Sequence, residues 1–437
     1  MSEARKFNPA AGPLRGSLRP PADKSISHRA ALIGAMSAGE TAIEGYLDAA
    51  DTRATLAAVQ ALGARVEGVG SDGVSSEVRV EGIGLQGAVS AAIDVGNAGT
   101  LLRLLPGWLA GQPGGTWELD GDDSIRRRPV DRVAEPLRRM GANLSCREGR
   151  LPPLKIEGAP LTGIAYEMPV ASAQVKSCLL FAGLLAEGET RVVEPLPSRD
   201  HSERMLAAAG AEISREGQTV AIRPPERLEA GRIVVPADFS SAAFLLAAGL
   251  LVAGSEVRLD GVCLNPTRTG LLAILARMGA EVEVAPRGEE GGEPIGTIVA
   301  RASELHGTEV GGAGVPLAID ELPLVALAAC FAEGTTTIRD AAELRRKESD
   351  RIATVAEALN ALGGKVEATE DGMAVEGTGG LRGGRVDSHG DHRIAMLGAI
   401  AGLASQEGVE VGGMDAAAVS YPGFESDLAG LVGGDPG

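Results

Sequence analysis

Three stretches place cations at the start of apolar runs. "DKSISHRAALIGAM" carries Lys24, Ser25 and Arg29; "RRKESDRIATVAEAL" carries Lys347, Glu348 and Arg351; "GDHRIAMLGAIAGLA" carries Arg393. A helix N-terminus is already the positive end of the macrodipole, so each cation there is opposed by about 0.3 to 1 kcal/mol. That cost is recovered where backbone N–H groups and basic side chains converge on a bound anion, because a charge-assisted hydrogen bond contributes about 1.5 to 3 kcal/mol. The arrangement recurs at Asn97, Gly99, Thr100 and Arg103 in "DVGNAGTLLRLL", at Arg128 in "SIRRRPVD" and at Arg199 in "PSRDHSERML". A single basic side chain could simply bend into water. The recurrence instead predicts one shared site for several phosphate or carboxylate groups, and on this reading the opposed dipoles make sense only with the anions bound.

The 41 basic residues include only six lysines, at 6, 24, 155, 176, 347 and 365. Lysine can exchange a proton at an attainable pKa and arginine effectively cannot, so Lys24 and Lys347 are candidates for proton transfer as well as for binding. "PVASAQVKS" offers Ser172, Ala173 and Gln174, whose hydroxyl and amide could orient a polyol or a carboxylate; Ser172 could equally be an ordinary helix cap. Asp320 in "AIDELP" and Glu348 are carboxylates set among cations, and either could act as a general base. The plainer alternatives are an acidic N-cap for Asp320 and a surface ion pair for Glu348. In "GDHR", His392 reads as structural, since no serine elbow, cysteine nucleophile or HExxH accompanies it. "GVGSDG" and "GGLRGG" lack the Walker lysine and read as turns.

Several classes are excluded. A net charge of -18 repels nucleic acid and anionic membranes. Cys146, Cys178, Cys263 and Cys330 are too scattered for a disulfide framework or a zinc site, and read as reduced core residues. There is no signal-peptide pattern, and the longest apolar run, "AAFLLAAGLLVAG" at 242–254, is shorter than the ~20 residues that span a bilayer. A cytoplasmic monomer is expected.

The elements that must position these residues form a repeat. An apolar helix, a glycine and a short β-like run occur six times, with the glycines at 39, 115, 188, 254, 334 and 408. A second helix ending in glycine follows each copy, as in "ALGARV", "RMGANL", "AAGAEI", "RMGAEV" and "ALGGKV". No single copy has enough apolar faces to bury itself, so the six are expected to share cores, three and three. Chain crossings are expected near 22 and 236, giving one domain from 1–22 plus 237–437 and another from 23–236.

Taken in order, "DKSISHRA", "GNAGTLLRLLPG", "RRRPVD", "SAQVKS", "SRDHSERML", "AIDELP", "RRKESDR" and "GDHRIAM" make the chain resemble the EPSP synthase branch of the enolpyruvyl transferase family, class II-like, over nearly its whole length. The resemblance implies an α/β fold, a two-domain inside-out α/β barrel of six βαβαββ repeats with pseudo-threefold symmetry, whose domains close on the substrates. It implies transfer of the enolpyruvyl group of phosphoenolpyruvate to the 5-hydroxyl of shikimate 3-phosphate with release of phosphate, without metal or organic cofactor. Matched by motif, Lys24, Ser25, Arg29, Ser172, Ala173, Gln174, Arg199, Asp320 and Lys347 would hold shikimate 3-phosphate. Lys24, Asn97, Gly99, Arg128, Gln174, Arg351 and Arg393 would hold phosphoenolpyruvate, and Asp320, Glu348 and Lys24 would serve catalysis. The resemblance also implies inhibition by glyphosate, since some tolerant members carry alanine at the position of Gly99.

The chain departs from a common family pattern in having Ala173 between Ser172 and Gln174, Glu343 where asparagine occurs, and "VSYPGF" where many members have a phosphoenolpyruvate-contacting lysine. The sister enzyme acting on UDP-N-acetylglucosamine, an RNA 3'-phosphate cyclase-like enzyme and a non-catalytic anion-binding repeat protein are the alternatives.

Overall fold

A helix that is apolar on every side must be buried on every side. In a computed structural model, which describes residues 4–68 and 77–433, six helices are buried along most of their length. They are Lys24–Met36, Gly99–Ala110 and Ala173–Gly183 in one unit, and Phe239–Leu251, Leu322–Phe331 and His392–Ala404 in the other. Every residue from Ile26 to Met36 and from Leu322 to Cys330 is buried. The strands by contrast alternate buried and exposed residues, as in Glu40–Glu44 and Glu77–Glu81, so each sheet turns one face to its helices and the other to water. Helices inside and sheets outside give each unit the inside-out α/β arrangement.

The first unit in the chain comprises Ala22–Pro236 with Glu290–Glu293; the other comprises Met1–Pro21, Ala237–Glu289 and Pro294–Gly437. Each contains three repeats. Five repeats build a four-stranded sheet, and the sixth a three-stranded one. In the first repeat, Arg232–Val234 runs parallel to Glu40–Glu44, which pairs antiparallel with Glu77–Glu81 and through it with Arg65–Glu67. In the fourth, the N-terminal strand Arg15–Leu18 takes the outer parallel place beside Glu256–Cys263. The six repeat glycines all lie in the left-handed region, with φ between 69° and 96°, at the turn that leaves each apolar helix. A side chain there would be strained, and the glycine is what keeps the period visible in the sequence.

The tripeptide Pro-Ala-Asp stands at both chain crossings, at 21–23 and 236–238. Asp23 N–H donates to Pro236 O and Asp238 N–H donates to Pro21 O, both at 2.8 Å. Each aspartate then caps the first apolar helix of its unit, Asp23 by accepting from Ile26 N–H at 2.9 Å and Asp238 from Ser240 N–H at 2.6 Å. The crossings therefore end where functional helices begin.

Cys178, Cys263 and Cys330 are buried thiols, whereas Cys146 is only half-buried beside Arg138, so one of the four is not a core residue. "GGLRGG" forms a turn into the strand Gly384–Asp387, while "GVGSDG" extends outside the described residues. Among the described residues no helix is long and apolar enough to cross a membrane.

Candidate active site

In the Ala22–Pro236 unit the polar residues collect at helix N-termini. Lys24 opens its helix and lies 3.2 Å from Asp51 Oδ2. One turn on, Arg29 is 2 % exposed and donates to Ser202 Oγ (2.8 Å), Ser177 Oγ (2.9 Å) and Ser25 O (3.0 Å), fastening three helices together. Gly99 opens Gly99–Ala110, and beside it Arg128 donates to Asn97 Oδ1 at 3.0 Å and Ser124 Oγ at 2.9 Å. Gln174 accepts from Arg103 at 2.9 Å and donates to Thr100 Oγ1 at 3.2 Å. Ser172 caps Ala173–Gly183 through Val175 N–H at 3.4 Å, so its plain role as a cap is realised as well. Arg199 is half-buried in the loop leading into His201–Ala208.

In the other unit Asp320 is the hub. Its Oδ1 lies 3.1 Å from Lys347 Nζ and 3.2 Å from Arg351 Nη1, and its Oδ2 lies 3.7 Å from Arg393 Nη2. Glu348 Oε2 is 2.6 Å from Arg351 Nη2. Asp391 grips the same guanidinium from the far side, with Nε–Oδ2 2.8 Å and Nη2–Oδ1 3.2 Å. Burial by itself would lower the pKa of Arg351, but Asp391, Glu348 and Asp320 outweigh it and hold the group above its ordinary value. Asp320 is not a helix cap: the residue at the N-cap of Leu322–Phe331 is Glu321.

The helix-start cations do not wait for a ligand to be tolerated. Lys24, Arg351 and Arg393 follow the capping aspartates Asp23, Asp350 and Asp391 closely. Each carboxylate accepts from its helix N-terminus and offsets the dipole that the neighbouring cation opposes. The expectation that these contacts make sense only with anions bound is corrected on this point.

The two clusters differ in what their cations touch. In the Ala22–Pro236 unit, Lys24 pairs with Asp51, whereas Arg29 donates to Ser177 and Ser202, Arg103 to Gln174, and Arg128 to Asn97 and Ser124, all neutral groups. In the second, Lys347, Arg351 and Arg393 are matched against Asp320, Glu321, Glu348 and Asp391, a set richer in carboxylate. One cluster suits phosphate binding, and the other suits moving protons beside held cations.

A family model described as EPSP synthase (3-phosphoshikimate 1-carboxyvinyltransferase) matches residues 9–428. The chain belongs to the EPSP synthase family. It is 53 % identical over 425 residues to a 3-phosphoshikimate 1-carboxyvinyltransferase of Anaeromyxobacter sp., and 50 % identical over 428 residues to one of Synechococcus sp. (strain RCC307), covering 97 % of each relative and 97 % and 96 % of this chain. An EPSP synthase structure from Acinetobacter baumannii superposes with a TM-score of 0.85 at 42 % identity, covering 98 % of both chains. The enolpyruvyl transferase NikO from Streptomyces tendae shares the fold, with a TM-score of 0.78 at 20 % identity over 98 % of this chain and 97 % of that one.

Within this EPSP synthase fold, Asp51 and Asp391, to which the sequence reading gave no role, are the ion-pair partners of Lys24 and Arg351. In "VSYPGF", Tyr421 is 1 % exposed, donates to Asp427 Oδ2 at 2.7 Å and packs edge-on against Phe424. Ser420, Tyr421 and Phe424 of that stretch are buried, whereas Pro422 and Gly423 are exposed.

His28 is wholly buried, with Nδ1 2.6 Å from Thr55 Oγ1 and no hydrogen-bond partner for Nε2 among the described residues. Burial first, then Lys24 and Arg29, push its pKa well below 6.5. The unfolded chain therefore binds a proton that the folded one does not, and stability falls as pH drops below about 6.5. His28→Asn, which preserves an acceptor near Thr55, is expected to flatten unfolding free energy between about pH 7 and pH 5 relative to wild type. Parallel pH profiles for the two proteins would contradict that assignment.

Proposed function

We propose that the chain transfers the enolpyruvyl group of phosphoenolpyruvate to the 5-hydroxyl of shikimate 3-phosphate. The observation that carries this reading is that residues matching the family's motifs gather within each unit, Lys24, Arg29 and Arg128 at helix starts of one and Asp320, Lys347 and Arg351 around one carboxylate of the other. The relatives' names favour this acceptor over UDP-N-acetylglucosamine. Lys24, Ser25, Arg29, Ser172, Ala173, Gln174, Arg199, Asp320 and Lys347 are assigned to shikimate 3-phosphate. Lys24, Asn97, Gly99, Arg128, Gln174, Arg351 and Arg393 are assigned to phosphoenolpyruvate.

The 5-hydroxyl adds to C2 of phosphoenolpyruvate, its proton passing to a carboxylate of the Asp320 and Glu348 pair, while C3 takes a proton and becomes a methyl group. Elimination then removes a methyl proton, re-forms C2=C3 and breaks the bond from C2 to the phosphate oxygen, releasing phosphate. Lys24 holds the anions together and can exchange a proton with them. Two multiply charged anions repel each other, so a dense array of fixed cations supplies much of the catalysis and no covalent nucleophile is needed. Because C3 passes through a methyl group, turnover in D2O places deuterium in the vinyl group of the product. A product free of deuterium would overturn the addition–elimination route.

Gly99 tests the phosphoenolpyruvate assignment. A Cβ built there lies 2.7 Å from Arg128 Nη1, the mobile end of a long side chain, so Gly99→Ala moves the guanidinium and not the backbone. The variant is expected to melt like wild type while its KM for phosphoenolpyruvate rises about tenfold and glyphosate inhibition weakens, with KM for shikimate 3-phosphate unchanged. An unaltered phosphoenolpyruvate KM would remove Arg128 from the site.

A further inference from the structure

Glu321 is fully buried, yet none of the substrate-binding or catalytic assignments above includes it. It sits at the N-cap of Leu322–Phe331, but its side chain makes no capping hydrogen bond. It turns instead toward Ser240, whose Oγ donates to Glu321 Oε1 at 2.5 Å. Arg268, 1 % exposed, donates to that same Ser240 Oγ at 2.8 Å and to Asp238 Oδ1 at 2.9 Å. On the other side, Arg393 Nη1 lies 3.7 Å from Glu321 Oε1 and donates to Asp320 O at 3.0 Å.

We propose that Glu321 is a positioning residue for Arg393, and that Ser240 and Arg268 tie it to the Asp238 cap at the chain crossing. A carboxylate without water stays ionised only if cations and donors compensate it, and here they come from two directions. The Asp320–Glu321 dipeptide divides the work: Asp320 faces Lys347 and Arg351 with its carboxylate, and its own backbone oxygen joins Glu321 in fixing one edge of the Arg393 guanidinium. Rotation of that guanidinium would forfeit both contacts. The inference rests on the reading that Arg393 binds phosphoenolpyruvate, and it adds that the position of Arg393 is set through a buried chain beginning at Asp238.

Steady-state kinetics of E321Q, S240A, R393K and the double variant E321Q/R393K test this, with thermal melts alongside. E321Q is expected to raise KM for phosphoenolpyruvate about tenfold while KM for shikimate 3-phosphate stays within about twofold of wild type. S240A is expected to move the same constant in the same direction, by about threefold. Because Glu321 acts through Arg393, the double variant should shift no further than R393K alone. A uniform shift of both KM values, or fully additive shifts in the double variant, would overturn the proposal. If E321Q does not fold, S240A decides, and an unchanged phosphoenolpyruvate KM in it is equally fatal. Wild-type protein that releases no phosphate defeats the functional reading, and R393K with normal phosphoenolpyruvate KM defeats the Arg393 assignment. R393K impaired beside a normal E321Q defeats only the inference.

Discussion

Lys24→Ala is expected to lower kcat about a thousandfold while leaving the fold intact, the scale on which a preorganised charge aimed at developing charge contributes. Lys24 is the first residue of its helix, with a side chain 16 % exposed and ion-paired to Asp51. It fills no core, so its loss removes function more than packing. Asp51 loses its cation, and a melting-temperature drop of only a few degrees is expected from that. Lys24→Arg keeps the charge but not the compact ammonium or its exchangeable proton, and should recover only part of the rate. Activity within about tenfold of wild type in Lys24→Ala would dissolve the role given to this helix start.

The second large effect is on stability. Asp391→Ala leaves Arg351 buried with its bidentate partner gone, and uncapping His392–Ala404 adds to the damage. Breaking a buried ion pair from one side costs about 3 to 5 kcal/mol, to be read as a lower urea midpoint for the transition of the unit that contains it. The pH dependence has a definite sign. Burial would raise the pKa of Asp391, but Arg351 dominates and holds it below 3.8. Its stabilisation is therefore full above about pH 4 and lost as pH falls through the depressed folded value. The gap between variant and wild type should narrow in acid. A variant within about 1 kcal/mol of wild type at neutral pH would show that the grip on Arg351 is not structural.

The repeats were legible because their signals are local. An all-apolar helix cannot be anything but interior, and a left-handed turn after it selects glycine, so Gly39, Gly254 and Gly408 announce themselves one residue at a time. The cations at helix starts were legible for the same reason. What opposes them was not. Asp51 lies 27 residues from Lys24 and Asp391 lies 40 from Arg351, and those distances close only when particular helices pack. Asp320 and Glu321 are adjacent letters with opposite fates, one facing Lys347 and the other Ser240, and no periodicity separates them. Sequence reading found the cations at helix starts and missed most of the groups that hold them still.

That division bears on mechanism. Arg351, fixed by three carboxylates, loses little freedom when an anion arrives, so its ordering is paid in folding rather than in binding. The same carboxylates place bases beside held cations. In the other unit, Arg29 is fixed by the neutral hydroxyls of Ser202 and Ser177.

The central claim is tested most directly by mixing purified protein with shikimate 3-phosphate and phosphoenolpyruvate and following phosphate release, then repeating the assay with UDP-N-acetylglucosamine as acceptor. The account predicts phosphate release in step with enolpyruvyl transfer for the first acceptor and none above background for the second. Release only with the nucleotide sugar, or with neither, would contradict it.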